Sequence, residues 1–206
     1  MPDSQRELVI NRIALLELKD EQRLVKEGYE LLDEKRIRLA SEIRASLAEL
    51  RMWRARAHAA DDAARAALVA ALNRHGLDEL SAYPPRSSAE DGLEFTRSRL
   101  FGLELLKAHW RPGAARELEQ AVNPTPEARA CALAYRACLE PMVETAACCL
   151  NLRRLVREYV RTERRARALE NVLLPEIDRG LKFIEEQLES LDQEEIARLR
   201  QRVRAW

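Results

Sequence analysis

The sequence predicts an all-α dominated fold: a long antiparallel two-helix coiled coil formed by the N- and C-terminal segments, with a short central block containing a β-hairpin. Three observations carry this reading. The first segment keeps an apolar repeat near 3.5 residues through six heptads, and the last segment carries a second such repeat. Between them, Pro and Gly interrupt every periodic pattern. The expected organisation is a helix over 1–75, a connector over 76–125, and a helix over 126–206 with kinks at Pro141 and Pro175.

The first helix is marked by its seam. Leu8, Asn11, Leu15, Leu18, Gln22, Val25, Tyr29, Leu32, Arg36, Leu39, Ile43, Ser46, Leu50 and Trp53 step by alternating threes and fours, and ten of the fourteen are apolar. A straight helix drifts off such a seam, so the repeat predicts a partner helix along its whole length. Ser4 followed by Glu7 has the spacing of a capping box and predicts the start. His75-Gly76 predicts the end, because glycine accepts the left-handed conformation that closes a helix. A helix from 5 to 75 is about 105 Å long at ~1.5 Å per residue. Gly28 inside it costs about 1 kcal/mol against alanine, so it marks a tolerated defect or a close approach.

The connector holds Pro84-Pro85, Ser87-Ser88, Gly92, Pro112-Gly113 and Pro124. Within it Leu93, Phe95, Arg97, Arg99 and Phe101 alternate loosely with polar neighbours, and Gly102 follows. That pattern predicts a hairpin turning near Gly102. One short helix from about 90 to 110 suits the same residues.

Thr125-Pro126-Glu127 restarts a helix, with Thr as N-cap and Pro at the first helical position. A seam then runs through Cys131, Tyr135, Cys138, Met142, Thr145, Cys149, Leu152, Val156 and Tyr159. A second follows through Leu174, Ile177, Leu181, Ile184, Leu188 and Leu191, and resumes at Ile196, Leu199, Val203 and Trp206. Pro141 and Pro175 each remove a backbone donor and crowd the preceding turn, so kinks are expected there. Matching the chain ends pairs residue 8 with 200 and sets Gly28 opposite Gly180. The seam residues expected to join the two strands are Leu15, Leu18, Val25, Tyr29, Leu32, Leu39, Ile43 and Leu50 with Ile177, Leu181, Ile184, Leu188 and Leu191.

Chemistry is sparse on this scaffold. No phosphate-binding glycine loop, no HExxH and no GxSxG is present, so neither catalytic nor cofactor nor metal residues are expected. The cysteines Cys131, Cys138, Cys148 and Cys149 form no CxxC, and three of them fall on the seam, where a free thiol behaves as a small apolar residue. Net charge is zero, which gives nucleic acid no electrostatic hold. No stretch approaches the length of a membrane span and the first residues hold no signal core, so a cytosolic protein docking on a membrane complex is expected. Seven arginines stand between 153 and 167 against two acids, and six acids between 185 and 195 with no base. Such blocks form solvated faces or meet charged partner surfaces.

Two runs then become specific. Thr162-Glu163-Arg164-Arg165-Ala166-Arg167-Ala168-Leu169-Glu170-Asn171-Val172-Leu173-Leu174-Pro175 resembles the T-R-R-R-V-N-A-L-E-x-V-x-I-P signature of the D subunit of the vacuolar and archaeal-type (V/A-type) rotary ATPases. Gly28-Tyr29-Glu30-Leu31-Leu32-Asp33-Glu34-Lys35-Arg36 is similar to that family's G-x-x-L-L-K-x-K-R, and Phe101-Gly102-Leu103 to its turn before a second strand. The matching motif residues are Gly28, Leu31, Leu32, Lys35, Arg36, Arg164, Arg165, Ala168, Leu169, Glu170 and Pro175. The chain departs from the pattern at Asp33, Ile37, Glu163 and Arg167, where the family carries Lys, Asp, Arg and Asn. The resemblance implies a non-catalytic rotor stalk on the cytoplasmic face of the membrane. Its implied partners are the hexamer of catalytic and regulatory A and B subunits, the small F subunit of the rotor, and an adaptor on the membrane ring, with no direct membrane insertion. The periodicity alone also fits the coiled-coil stalk of a type III secretion ATPase, which lacks the A-L-E-x-V-x-x-P run.

Overall fold

The computed structural model describes residues 11–81, 83, 92–113 and 125–204. In chain order they form α1 (Arg12–Ser81), β1 (Gly92–Leu100), β2 (Leu103–Arg111), α2 (Pro126–Ala168), a π-helical turn (Leu169–Leu173) and α3 (Leu174–Arg204). The Ser4–Glu7 capping box, Leu8, the Pro84-Pro85 and Ser87-Ser88 pairs, Pro124 and Trp206 lie outside the described residues. The chain divides into two compact units, Met1–Arg38 with Tyr159–Trp206 and Leu39–Glu158.

Asn11 starts α1. Its Oδ1 accepts the amide of Ala14 at 2.6 Å, and its carbonyl accepts the amide of Leu15 at 3.2 Å. This is side-chain N-cap geometry at the first described turn of α1. Along α1 every position of the series from Leu15 to Trp53 is buried or half-buried. The covered stripe then continues through the small residues Ala57, Ala60, Ala64, Ala67 and Ala71 to His75. At Gly76 the backbone leaves the helix with φ 73° and ψ 173°, a conformation open essentially to glycine alone.

In the first unit, the start of α1 lies antiparallel to the end of α2, the π turn and α3. Arg36 stands opposite Glu163, Gly28 opposite Leu169, Gln22 opposite Asp178 and Lys19 opposite Glu185. Gly28 therefore faces Leu169 and not Gly180, which corrects the pairing expected from the chain ends. Counting inward from the termini assumes one constant offset, which the pairs Arg36–Glu163 and Arg12–Asp192 do not share. The interior holds Thr162, Ala166, Ile177, Leu181 and Ile184, all under 9% exposed. Burying a side chain such as Ile184 completely contributes about 1.5–3 kcal/mol. Leu191 is 51% exposed, with Ile196, Leu199 and Val203 also open. Arg12, in the first described turn of α1, reaches Asp192 at 3.4 Å.

The π turn has a local cause. Pro175 has no amide to donate, and its ring presses on the carbonyl four residues earlier. Just upstream the helix widens, and the Leu174 amide bonds the carbonyl of Leu169, five residues back. α2, by contrast, remains helical from end to end across Pro141.

In the second unit, β1 and β2 form an antiparallel hairpin in continuous register from Gly92↔Arg111 to Leu100↔Leu103. The two-residue loop carries φ 50° at Phe101 and φ 80° at Gly102. Positive φ at both positions is what a tight hairpin turn compatible with strand twist demands, and it sets the strand reading over the short-helix alternative. The helical core of this unit is made of Leu39, Ala64, Ala71, Ala128, Cys131, Cys138, Ala147, Cys148 and Leu155. At the base of the hairpin His75 Nε2 meets Thr125 Oγ1 at 2.5 Å, and the ring packs edge-on against Tyr83. Thr125 also accepts the amide of Ala128 and so caps α2.

One expectation is corrected here. Cys149 is exposed, and Cys148 takes the buried place instead. Tyr135, Met142 and Val156 are each more than 40% exposed, whereas Pro141, Glu144, Cys148 and Leu155 point inward. The true seam steps three residues from Cys138 to Pro141, which moves every later contact back by one.

Candidate functional site: the cross-helix ties and the clamped hairpin

With no ligand-bearing cavity expected, the functional features are the contacts that hold the two strands together and the surfaces left for partners. In the first unit the ties centre on Arg36. Its Nη1 donates to Glu163 Oε2 at 2.8 Å across the helix pair, and its Nη2 donates to Asp33 Oδ1 at 2.5 Å on its own helix. Glu163 also accepts from Arg167 Nε at 2.8 Å. The hydrogen bond from Arg36 holds the Glu163 carboxyl below its ordinary value, and the reciprocal bond raises the Arg36 guanidinium. Glu170 sits near Tyr29 and pushes its phenol upward, mainly by its charge. Three of the four departures from the family pattern, Asp33, Glu163 and Arg167, are members of this single network.

The motif residues divide by exposure. Gly28, Leu32, Lys35, Arg36, Leu169 and Pro175 lie on the covered side, half-buried. Leu31, Arg164, Arg165, Ala168 and Glu170 are exposed. A Cβ added at Gly28 meets Leu169 Cδ1 at 3.8 Å, an ordinary van der Waals contact. Of the seam residues in this unit, Leu15, Leu18, Val25, Tyr29, Leu32 and Leu188 are half-buried, Ile177, Leu181 and Ile184 are buried, and Leu191 is exposed. In the second unit Leu39 is buried, with Ile43 and Leu50 half-buried.

The acidic run of α3 is partly spent inside the unit. Glu185 pairs with Lys19 at 2.9 Å, Asp192 with Arg12 at 3.4 Å, and Glu194 with Arg198 at 3.3 Å. These pairs are largely exposed and contribute little to stability. Arg161, Arg164 and Arg165 are exposed, without an ion pair among the described residues.

In the second unit the hairpin is clamped to α2 by polar contacts. Asn151 accepts the Leu106 amide on Oδ1 at 2.9 Å and donates from Nδ2 to the Leu106 carbonyl at 2.6 Å. Arg154 donates to the carbonyl of Glu104 at 2.5 Å. His109 Nδ1 lies 2.7 Å from Oε1 of the buried Glu144. Between hairpin and helix opens an apolar groove of about 230 Å³, lined by residues that include Leu93, Phe95, Leu106, Val143 and Leu150. Burial lifts the Cys148 thiol to about 11, with Glu49 and Glu144 adding to the shift, and also raises Cys131 and Cys138.

Sequence reasoning missed Asn151, Glu144 and Leu155. For Leu155 a signal existed, because an inward step at Pro141 restores an unbroken three-four series through Cys148. Asn151 gave none, since a polar residue next to Leu152 reads as solvent-facing.

A family model described as that of the ATP synthase D subunit matches residues 14–202. The D subunit of the V-type ATP synthase of Thermotoga neapolitana is 26% identical over 187 residues, 90% of this chain and 92% of that protein. That of Thermus thermophilus is 28% identical over 191 residues, 92% of this chain and 84% of its own. The D subunit of the A-type ATP synthase of Archaeoglobus fulgidus is 39% identical over 67 residues, 32% of each chain.

Proposed function

The chain belongs to the D-subunit family of ATP synthases, and from that premise we propose that it is the non-catalytic central shaft of a rotary ATPase. It passes torque between nucleotide chemistry in a hexamer of A and B subunits and ion movement through a membrane ring. The small F subunit of the rotor and a ring adaptor are its other partners. It works on the cytoplasmic face as a peripheral component, consistent with the finding that no helix among the described residues is long and apolar enough to cross a membrane.

The observation that supports this best is the packed seam of the first unit, where Ile177, Leu181 and Ile184 are buried and Arg36 ties α1 to Glu163. Gln22 with Asp178 and Lys19 with Glu185 mark the same register at the surface. A helix twisted against its partner must unpack this seam, so the pair resists torsion where a lone helix yields. A rotor also needs unequal faces, so that equivalent catalytic sites meet different surfaces and adopt different states. The π turn before Pro175, the exposed Arg161, Arg164 and Arg165 of α2, and the acidic run of α3 supply that asymmetry.

The test is co-expression with the A, B and F subunits, followed by mass measurement of the purified assembly. A complex of three A, three B, one F and one copy of this chain is expected. Recovery of the chain only as a homodimer, with all partners present, contradicts the proposal.

A further inference from the structure

The chain treats the two outer edges of its hairpin differently. Leu100 and Leu103 flank a two-residue turn and exchange backbone bonds. The pairs Arg99–Glu104, Arg97–Leu106, Phe95–Ala108 and Leu93–Trp110 therefore aim their N–H and C=O groups out of the ladder. On β2 three of these groups are answered. Asn151 takes both groups of Leu106, and Arg154 takes the carbonyl of Glu104. On β1, no group among the described residues pairs with the outward backbone of Leu93, Phe95, Arg97 or Arg99, and Phe95, Arg97 and Arg99 are exposed, with Leu93 48% open.

A free edge normally carries a device against unwanted pairing, such as a proline, a lysine, a bulge or a very short strand. β1 has no proline, no bulge and nine residues in unbroken register, and its charged residues are Glu94, Arg97 and Arg99, so any added strand must suit those charges. Two further features say what fits it. At one end Leu93 and Phe95, 48% and 60% exposed, overhang the apolar groove floored by Val143, Ala146 and Leu150. At the turn end arginines outnumber the acid Glu104, which pairs with Arg97 at 3.4 Å. Arg99 is exposed there with no ion pair among the described residues, and the bond from Arg154 to Glu104 brings Arg153 and Arg157 to the same end.

We infer that β1 accepts an extended segment of a partner polypeptide as a third strand, apolar over the groove and acidic beside Arg97 and Arg99. Backbone bonds along the edge supply the register, and the groove and arginines supply the choice of sequence and direction. A basic segment in that place would set like charges across adjacent strands, which is unfavourable. Nothing in this inference depends on the rotor reading.

The test uses the full chain and a synthetic peptide of alternating Val and Thr ending in a Glu-Glu pair, with amide exchange followed by NMR. On saturation the amides of Phe95, Arg97 and Arg99 should slow by at least about tenfold, while those of Thr96 and Ser98, already in the ladder, stay unchanged. A Lys-Lys version should bind at least about tenfold more weakly. Arg99→Glu should reverse that preference. Phe95→Pro removes one outward amide at a position where an edge strand tolerates proline, and should weaken binding without releasing the hairpin. The inference is overturned if the outward amides are already slow in the free chain, because a segment of its own or a second copy then covers the edge. It is equally overturned if no peptide protects them, or if binding is indifferent to Phe95→Pro.

Discussion

Arg36 on α1 donates to Glu163 on α2 at 2.8 Å, and the same guanidinium holds Asp33 at 2.5 Å. Glu163 and Asp33 stand where the family pattern carries Arg and Lys. Both carboxylates turn toward Arg36. What reads in the sequence as loss of a basic run is, in the fold, an internal tie between strands.

That tie has a pH signature. The folded Glu163 carboxyl lies below its ordinary value of 4.5, so ionised Glu163 stabilises the fold. The contribution is complete above the unfolded carboxylate range and disappears as pH falls through the lower folded value. Thermal midpoints of the wild type and Glu163→Gln should therefore differ at neutral pH and converge in acid. A gap that stays constant down to the lowest pH at which the chain folds contradicts the assignment.

Gly28 belongs to the family motif, yet its place in the helix does not require glycine. An added Cβ makes an ordinary contact with Leu169 at 3.8 Å. Gly28→Ala should leave the fold intact and raise stability by about 0.5–1 kcal/mol through the lower helix cost of alanine. Urea unfolding measures this directly, and a loss of similar size means that the glycine serves a closer approach.

The seam makes a graded prediction along α3. Ile184 is fully buried and Leu188 half-buried, whereas Leu191 is 51% exposed. Ile184→Ala should cost about 2–5 kcal/mol. Ile184→Asp with Leu188→Asp should abolish ATP-driven ion pumping in the assembled complex, while Leu191→Asp leaves it near wild type. Pumping that survives the double change argues against a packed helix pair as the transmission element.

Thiol chemistry tests the corrected seam of α2. Cys149 is exposed, while Cys131, Cys138 and Cys148 are buried with raised thiol values. Maleimide at neutral pH should label Cys149 quickly and the other three only on unfolding. Rapid labelling of Cys148 with protection of Cys149 restores the register first expected.

The fold class was legible because its signals are long. The three-four spacing from Leu15 to Trp53 leaves one face free for a partner, and only Gly76 among its neighbours accepts the backbone that breaks α1 there. The hairpin was legible from alternation and Gly102, although Phe101 also adopts positive φ, which no bulky residue announces. The register of α2 was not legible: around Pro141 the candidates are Cys, Thr, Met and Ala, whose burial preferences differ too little to choose between adjacent stripes. The pairing of Gly28 was lost for another reason. It depends on the extra residue of the π turn, which does not show in hydrophobic periodicity. Asn151 escaped because its partners are backbone groups of a strand 45 residues away.

The central claim is rotation, and it has a direct measurement. A Cys149→Ser, Thr96→Cys chain, biotinylated at the exposed residue 96, is assembled with the A, B and F subunits. The hexamer is fixed to glass, a bead is attached through the biotin, and ATP is supplied. The bead is expected to turn in one direction, in three equal steps per revolution, and to stop when ATP is withdrawn. ATP hydrolysis that continues at full rate with the bead fixed in place or wandering at random contradicts the account.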